Sequence, residues 1–239
     1  MPVPPCIFRG HTVTSLFRVQ RIVIMINHRT IVGADRREKT RARLLKGALQ
    51  VFSQFGVDAK IIDMVIKNAG VSRGTFYNYF RTNEELFIEV AKEVSNEIIR
   101  AVDSVVVQQK DPAARIACGM ISVVRLAKRV PILAQFIVKG GPVAMNTGEL
   151  TTTVVPRDIR AGITAGQFTI TDEHLAFDLV LGPIIMAFHR IVQGGVSESY
   201  PNELAQAVLQ SLGVNRTLAK KYAYLDFVDS ELAEDSMLN

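Results

Sequence analysis

The feature that most constrains the fold is residues 59–87, where two short helical stretches flank a glycine. Their sequence reads AKIIDMVIKNAGVSRGTFYNYFRTNEELF. The apolar positions predict a first helix over residues 60–69, which Gly70 breaks, and a second helix that Ser72 caps and that ends near Tyr79. Helices this short do not offset their own nucleation cost, so both are predicted to pack against neighbours. Two short helices joined by a tight turn form a helix-turn-helix.

Helical periodicity covers the rest of the chain from Asp35 onward. One apolar stripe precedes the segment and ends at Gly56: Leu44, Ala48, Val51, Phe52 and Phe55. Thr82 or Asn83 caps a long helix after it. Further helices are predicted over residues 112–129, 131–138, 149–165, 172–193, 201–212 and 215–227, with loops at 140–142 and 194–195. Since no run alternates convincingly between apolar and polar residues, the predicted fold class is all-α.

The positive charge of the chain is concentrated in its N-terminal third. Residues 1–34 carry four arginines and no acid, and residues 35–82 carry ten basic residues against four acidic ones, whereas the remainder carries 14 basic and 19 acidic residues. A basic end on an acidic body is typical of a chain that binds a polyanion through that end. A solvated basic helix without a partner has the same composition, so charge alone leaves both interpretations open.

Several classes of protein are not indicated. No stretch approaches the ~20 uninterrupted apolar residues of a membrane helix, and Arg9, Arg18 and Arg21 interrupt the region where a signal peptide needs a continuous apolar core. Cys6 and Cys118 lack metal-ligand spacing, and the sequence has no G-x-S-x-G, G-x-G-x-x-G or phosphate-binding GKS/T motif. We therefore expect a cytoplasmic protein that is not an enzyme and has no metal, no cofactor and no membrane partner.

Residues 69–86 resemble the block AGVSxGTFYxYFxxKEEL that members of the TetR family of transcriptional regulators share. The matching residues are Ala69-Gly70-Val71-Ser72-Arg73-Gly74-Thr75-Phe76-Tyr77-Asn78-Tyr79-Phe80, followed by Arg81 to Leu86. The resemblance implies a three-helix DNA-binding head with the helix-turn-helix at residues 35–82, and a helical body at residues 83–239 that binds an effector and dimerises. Residues 1–34 then form an N-terminal arm. Disorder of this arm and an artefact of an upstream start, given Met25, are both open interpretations.

The second helix of such a motif enters the major groove with its N-terminal residues nearest the bases. The expected DNA-binding residues are Ser72, Arg73, Gly74, Thr75, Tyr77, Asn78, Tyr79, Arg36, Arg41 and Lys46. Arg73 is a candidate donor to guanine or phosphate, Thr75 is a candidate contact of a phosphate or a thymine methyl, and Gly74 permits close backbone approach. For each residue a solvated side chain is the alternative. Phe76 and Phe80, four residues apart, are predicted to be core.

Two further features are expected in the body. Five residues are candidates for the lining of an effector pocket, with plain core as the alternative: Met120, Phe136, Met145, Phe177 and Met186. By family likeness, two apolar stripes pack against their copies in a four-helix dimer interface: Leu175, Leu179, Ile184, Phe188 and Ile191, then Leu204, Val208 and Leu212. A two-fold symmetric dimer suits the function, because it binds palindromes whose half-sites lie about one helical turn apart.

The chain departs from the family pattern at a few positions. Lys60 and Ile61 stand where a threonine usually begins the first helix, Ile66 stands where alanine is usual, and Asn83 stands where a phosphate-contacting lysine is common. The predicted function is a ligand-responsive transcriptional repressor, released from a palindromic operator DNA by a small-molecule effector. The departures motivate an alternative, an architectural or adaptor protein with the same fold and weak, non-specific DNA binding.

Overall fold

The structure is a computed structural model that describes the backbone of residues 14–57, 61–145 and 147–239, and the side chains of these residues except 14–32 and 145. The secondary structure of this described part is helical throughout, with no strand, and the predicted all-α class is confirmed. The chain divides into two compact units after Ala42. The described residues form ten α-helices: α1 Thr14–Phe55, α2 Ile61–Ala69, α3 Arg73–Tyr77, α4 Asn83–Val106, α5 Pro112–Arg129, α6 Pro131–Met145, α7 Val155–Thr164, α8 Glu173–Val192, α9 Tyr200–Ser211 and α10 Arg216–Ala223.

Several helix boundaries differ from the sequence-based expectation. The helix predicted over residues 149–165 is divided into the π-helical turn Leu150–Val154 and α7. Helix α1 begins at Thr14 and crosses the predicted boundary at residue 34, and the part of the predicted arm before Thr14 lies outside the described residues. Helix α6 continues to Met145 through a kink at Gly141 (φ 59°, ψ −149°), where a loop was expected. Helix α10 ends at Ala223 rather than near residue 227, because the Asn202 side chain donates to the Ala223 carbonyl that another helical turn would use.

Helix α5 is the central helix of the second unit. It contacts all the helices that follow it (α6 to α10) and α4. Its small residues Ala113, Ala117 and Ala127 are fully buried, which lets neighbouring backbones approach it from several sides. A helix that is apolar on most of its circumference is expected at the centre of a bundle.

A chain of three aromatic rings joins α1, α4 and α6. The Phe52 and Phe87 ring centroids lie 5.1 Å apart in an edge-to-face arrangement, and the Phe87 and Phe136 centroids lie 5.3 Å apart. Gly140 makes the approach of α6 possible, because a Cβ at this position would lie 2.5 Å from the Phe87 ring. The segment that precedes the helix-turn-helix is thereby packed, through Phe87, against the body.

Helix α8 exposes an unusual amount of apolar surface. Leu175, Met186 and Val192 are 51%, 54% and 41% exposed. By length and composition alone, α8 is long and apolar enough to cross a membrane. A single helix of this kind is weak evidence for a membrane span. The residues predicted for a dimer interface are only partly on this surface. Phe188 is buried within the single chain, as are Val208 and Leu212 of the α9 region, because both stripes also pack on the core of their own chain.

Candidate nucleic-acid interface and internal cavity

The turn between α2 and α3 is closed by hydrogen bonds from both sides. Gly70 adopts a left-handed conformation (φ 60°), which favours glycine, and the Val71 amide donates to the Ile66 carbonyl at 3.2 Å. The Arg43 guanidinium of α1 donates to the carbonyls of Ala69 (2.6 Å) and Gly70 (3.0 Å). Arg43 therefore has a structural role, because it satisfies carbonyl groups at the C-terminal end of α2.

Helix α3 is held by its cap and by two phenylalanines. The Ser72 hydroxyl accepts a hydrogen bond from the Thr75 amide at 3.0 Å, as the sequence predicts. Phe76 and Phe80 are 0% and 3% exposed, which confirms that they belong to the core. The anchored side of α3 is thus apolar, and its opposite side is left facing solvent.

The solvent-facing side carries most of the predicted DNA-binding residues. Four of them are exposed, namely Ser72, Arg73, Gly74 and Asn78, and Tyr77 is 47% exposed. Thr75 and Tyr79 are half-buried. The structure therefore brings these seven residues to one short helix and its flanks, with polar and aromatic groups presented outward.

The three other predicted DNA-binding residues lie on α1. Arg36 is exposed and Arg41 is half-buried, and both belong to the first unit. Lys46 is exposed on the part of α1 that belongs to the second unit.

Arg73 has a partner that the sequence analysis did not identify. Its Nη2 atom lies 2.5 Å from Oδ1 of Asp63 on α2, and the two side chains are 63% and 74% exposed. The hydrogen bond and the charge of Asp63 raise the pKa of Arg73. An exposed acidic side chain thus pairs with the arginine that begins α3.

The structure shows how far the residues that depart from the family pattern are buried. Ile61 is buried, Ile66 is half-buried against the core, and Lys60 lies outside the described residues. Asn83 is 8% exposed at the first residue of α4, so it is not presented to a phosphate. Of the two predicted caps, Thr82 caps α4, since its hydroxyl accepts from the Glu85 amide at 3.1 Å.

An internal cavity of about 110 Å³ lies between α4, α5, α6, α7, α8 and the π-helical turn Leu150–Val154 that precedes α7. Apolar side chains form most of its lining. The polar residues of the lining are Ser95, Asp103, Arg115, Thr147, Thr151 and Asp158. A mostly apolar cavity with a few convergent polar groups is typical of a small-molecule site.

The five predicted pocket residues are distributed differently from the expectation. Met120 lines the cavity. Phe136 packs against Phe87, Phe177 lines a separate groove between α6 and α8, and Met186 is 54% exposed. The side chain of Met145 lies outside the described residues. The periodicity of a single helix cannot distinguish a side chain that lines a cavity from one that packs in the core.

Two carboxylates in the lining of the cavity are held by arginine. Arg157 donates to both Asp158 oxygens at 3.0 Å and to Asp103 Oδ1 at 3.0 Å, and the pKa of Arg157 is raised, chiefly by its hydrogen bond to Asp158. Arg115 Nη1 lies 3.6 Å from Asp158 Oδ1. Asp158 is 2% exposed. The sequence carried a signal for it, because Asp158 falls between Val155 and Gly162 on the apolar side of α7.

Comparisons with known proteins cover both parts of the chain. Residues 44–90 match the family model of bacterial regulatory proteins of the tetR family, and residues 111–224 match the tetracyclin repressor-like C-terminal domain. An uncharacterized HTH-type transcriptional regulator of Bacillus subtilis (strain 168), YhgD, is 38% identical over 60 residues, which are 25% of this chain and 31% of that protein. The HTH-type transcriptional repressor Rv1474c of Mycobacterium tuberculosis (strain ATCC 25618 / H37Rv) is 31% identical over 62 residues, 26% of this chain and 33% of that protein. The match thus spans about a third of the length of these curated relatives.

A solved structure matches over a much larger part. The crystal structure of RolR in complex with resorcinol has 31% sequence identity and a TM-score of 0.65, and the match covers 83% of this chain and all of that one. The relatives named as regulators indicate a regulatory rather than a catalytic protein. The helix-turn-helix, the helical body and these matches together place the chain in one family. It belongs to the TetR family of transcriptional regulators.

Proposed function

We propose that the chain is a dimeric repressor that binds a palindromic operator and leaves it when a small molecule occupies the internal cavity. The observation that supports this most strongly is the surface of α3. Its apolar side is anchored by Phe76 and Phe80, while Arg73, Gly74 and Tyr77 face solvent. A short helix anchored on one side and polar on the other suits insertion into a major groove.

The proposed contacts follow from the position of each residue along α3. Ser72, Arg73, Gly74 and Thr75 form its N-terminal end and approach the bases, and Tyr77, Asn78 and Tyr79 follow toward base edges or phosphates. The exposed cation Lys46 and the α1 arginines Arg36 and Arg41 are assigned to flanking phosphates. Such contacts position the protein without reading the sequence.

The proposed dimer uses the exposed apolar face of α8. Leu175, Met186 and Val192 are each more than two-fifths exposed in the single chain, and a copy of the chain would remove them from water. A symmetric pair of heads would then read two half-sites about one helical turn apart.

The proposed effector is a small hydroxylated aromatic molecule. A cavity of about 110 Å³ suits a ligand with a single ring, since an engineered apolar cavity of about 150 Å³ in another protein accepts benzene. Asp103 and Asp158 in the lining offer carboxylate oxygens as acceptors for hydroxyl donors. The structure of RolR with resorcinol, a dihydroxybenzene, supports the same class of ligand.

In the proposed release from DNA, α4 connects the cavity to the DNA-binding head. Asp103 lies at the cavity, near the end of this helix, and Phe87 lies near its start against Phe52 of α1. A ligand that binds one position of α4 better than another shifts the population of that position, and with it the spacing of the two heads. A spacing that no longer fits adjacent major grooves lowers operator affinity.

The test is selection of binding sites from random duplexes with the full-length protein, repeated with resorcinol as the probe. A repressor selects a palindrome and releases it as resorcinol is added. Uniform binding to any duplex favours the architectural alternative instead. Asp158→Asn keeps the shape of the side chain but removes its charge, and is expected to abolish the response to resorcinol while operator selection remains. Asp226→Asn, at an exposed acid outside the cavity lining, is the matched control.

A further inference from the structure

The ion pair between Asp63 and Arg73 joins the two helices of the helix-turn-helix. Asp63 lies in the first turn of α2 and Arg73 is the first residue of α3, and Nη2 of the arginine lies 2.5 Å from the aspartate Oδ1. Both side chains are more than 60% exposed. An ion pair so open to solvent contributes little to folding, so stability is a weak reason for its presence.

An acid at this place is costly for a surface that approaches DNA. A carboxylate beside phosphates repels them, and it offsets the positive charge of Arg73 that would otherwise release counterions from the duplex. The pair is therefore poorly suited to phosphate binding. Other cations of the same region remain exposed for that purpose, among them Lys46, Lys67 and Arg81.

The same pair is well suited to reading a base. A guanidinium presents five N–H donors in a rigid planar fork. With Nη2 held by Asp63, the remaining donors of the fork keep a defined direction, and a side chain already ordered in the free protein loses less conformational entropy on binding. Two parallel donors from arginine to O6 and N7 are the most common specific contact to guanine in the major groove.

We propose that Asp63 is a specificity-determining residue, which orients Arg73 to read one guanine in each operator half-site and weakens binding to other DNA. This inference rests on the proposed function, since it assumes that α3 enters the major groove. Asp63 acts partly through Arg73, as a positioning residue, and partly through its own charge. Its first-turn position on α2 also suits the helix dipole, which the control below separates from the proposed role.

The test compares full-length wild-type protein with three variants, by selection from random duplexes and by binding to one selected and one random duplex over a range of salt. Asp63→Ala is expected to reduce the preference for guanine at one position of each half-site by about 10-fold. It is also expected to bind the random duplex more tightly. Arg73→Lys keeps the charge but loses the fork, and is expected to lose the same preference.

Glu84→Ala is the matched control, because Glu84 is an exposed acid in the first turn of α4 in the same head. It removes the same charge and a similar helix-dipole contact, and is expected to leave the guanine preference intact. The proposal is overturned if Asp63→Ala keeps the full guanine preference, or if Asp63→Ala and Glu84→Ala change binding alike. A wild-type protein that selects no sequence at all refutes the proposed function itself, and that result is visible before any variant is compared.

Discussion

Replacing Gly74 with alanine separates the folding of α3 from its contact with DNA. Gly74 is exposed, and a Cβ built there meets Ser72 Oγ at 3.9 Å, which is ordinary van der Waals distance. Because alanine is favoured over glycine in a helix by about 1 kcal/mol, we expect the free energy of unfolding to rise by about 0.5–1 kcal/mol. For a chain of this length, Tm should then rise by about 1–4 °C.

The same methyl group is expected to weaken operator binding. It projects from the side of α3 that faces solvent, where the proposed complex requires close approach of the backbone. If it displaces the equivalent of one good base contact in each head, the loss is about 1–3 kcal/mol per head. The dimer would then lose at least about 2 kcal/mol, which corresponds to about 30-fold in affinity.

Two measurements on the same protein check both halves of this prediction: urea denaturation for stability, and fluorescence anisotropy with a selected duplex for affinity. Gly119→Ala is the control, because Gly119 is also helical and its Cβ would lie 3.7 Å from Val106, far along the chain from α3. Without effector it should leave operator affinity unchanged. If Gly74→Ala leaves the operator affinity unchanged, the backbone of α3 does not approach DNA. If Gly74→Ala lowers the free energy of unfolding, a Cβ at this position does not fit without a clash.

Three further predictions concern the stability of the fold and the accessibility of the Cys118 thiol. Ser72→Ala removes the acceptor of the Thr75 amide and should cost about 0.5–2 kcal/mol of stability in urea denaturation, whereas Ser72→Asn should retain most of it. Gly140→Ala places a Cβ 2.5 Å from the Phe87 ring and should lower the free energy of unfolding by about 1–3 kcal/mol. The double variant Gly140→Ala/Phe87→Leu should lose less stability than the sum of the losses of the two single variants, and a loss equal to that sum would contradict the contact. Burial raises the pKa of Cys118 to about 11, so in a Cys6→Ser background a thiol reagent at pH 8 should label the protein only when it is unfolded; rapid labelling of the folded chain would show that the thiol is accessible.

Much of the head could be predicted because its signals are local. Ser72 caps α3, Gly70 makes the turn and Phe76 and Phe80 are buried, and each of these features depends on residues within a few positions along the chain. Hydrogen bonds of caps and turns close over such short spans, so residue type and spacing are enough to place them.

The features that the sequence analysis missed depend on residues far apart in the chain. Arg73 meets Asp63 ten positions away across a turn, and Arg157 meets Asp103 54 positions away. A single sequence does not distinguish these paired side chains from charged side chains that are exposed to water. Periodicity placed Met120 and Phe136 alike on buried helix faces, but only packing against other helices decides which of them lines a void.

By itself, then, the amino-acid order determined the helical class, the paired short helices and the residues that α3 turns outward, since local propensities and caps suffice for these. Tertiary structure alone decided the cavity with its two carboxylates and the apolar face that α8 leaves uncovered. These depend on how helices distant in sequence share one core, and the close packing of that core follows from the volumes of all its side chains together.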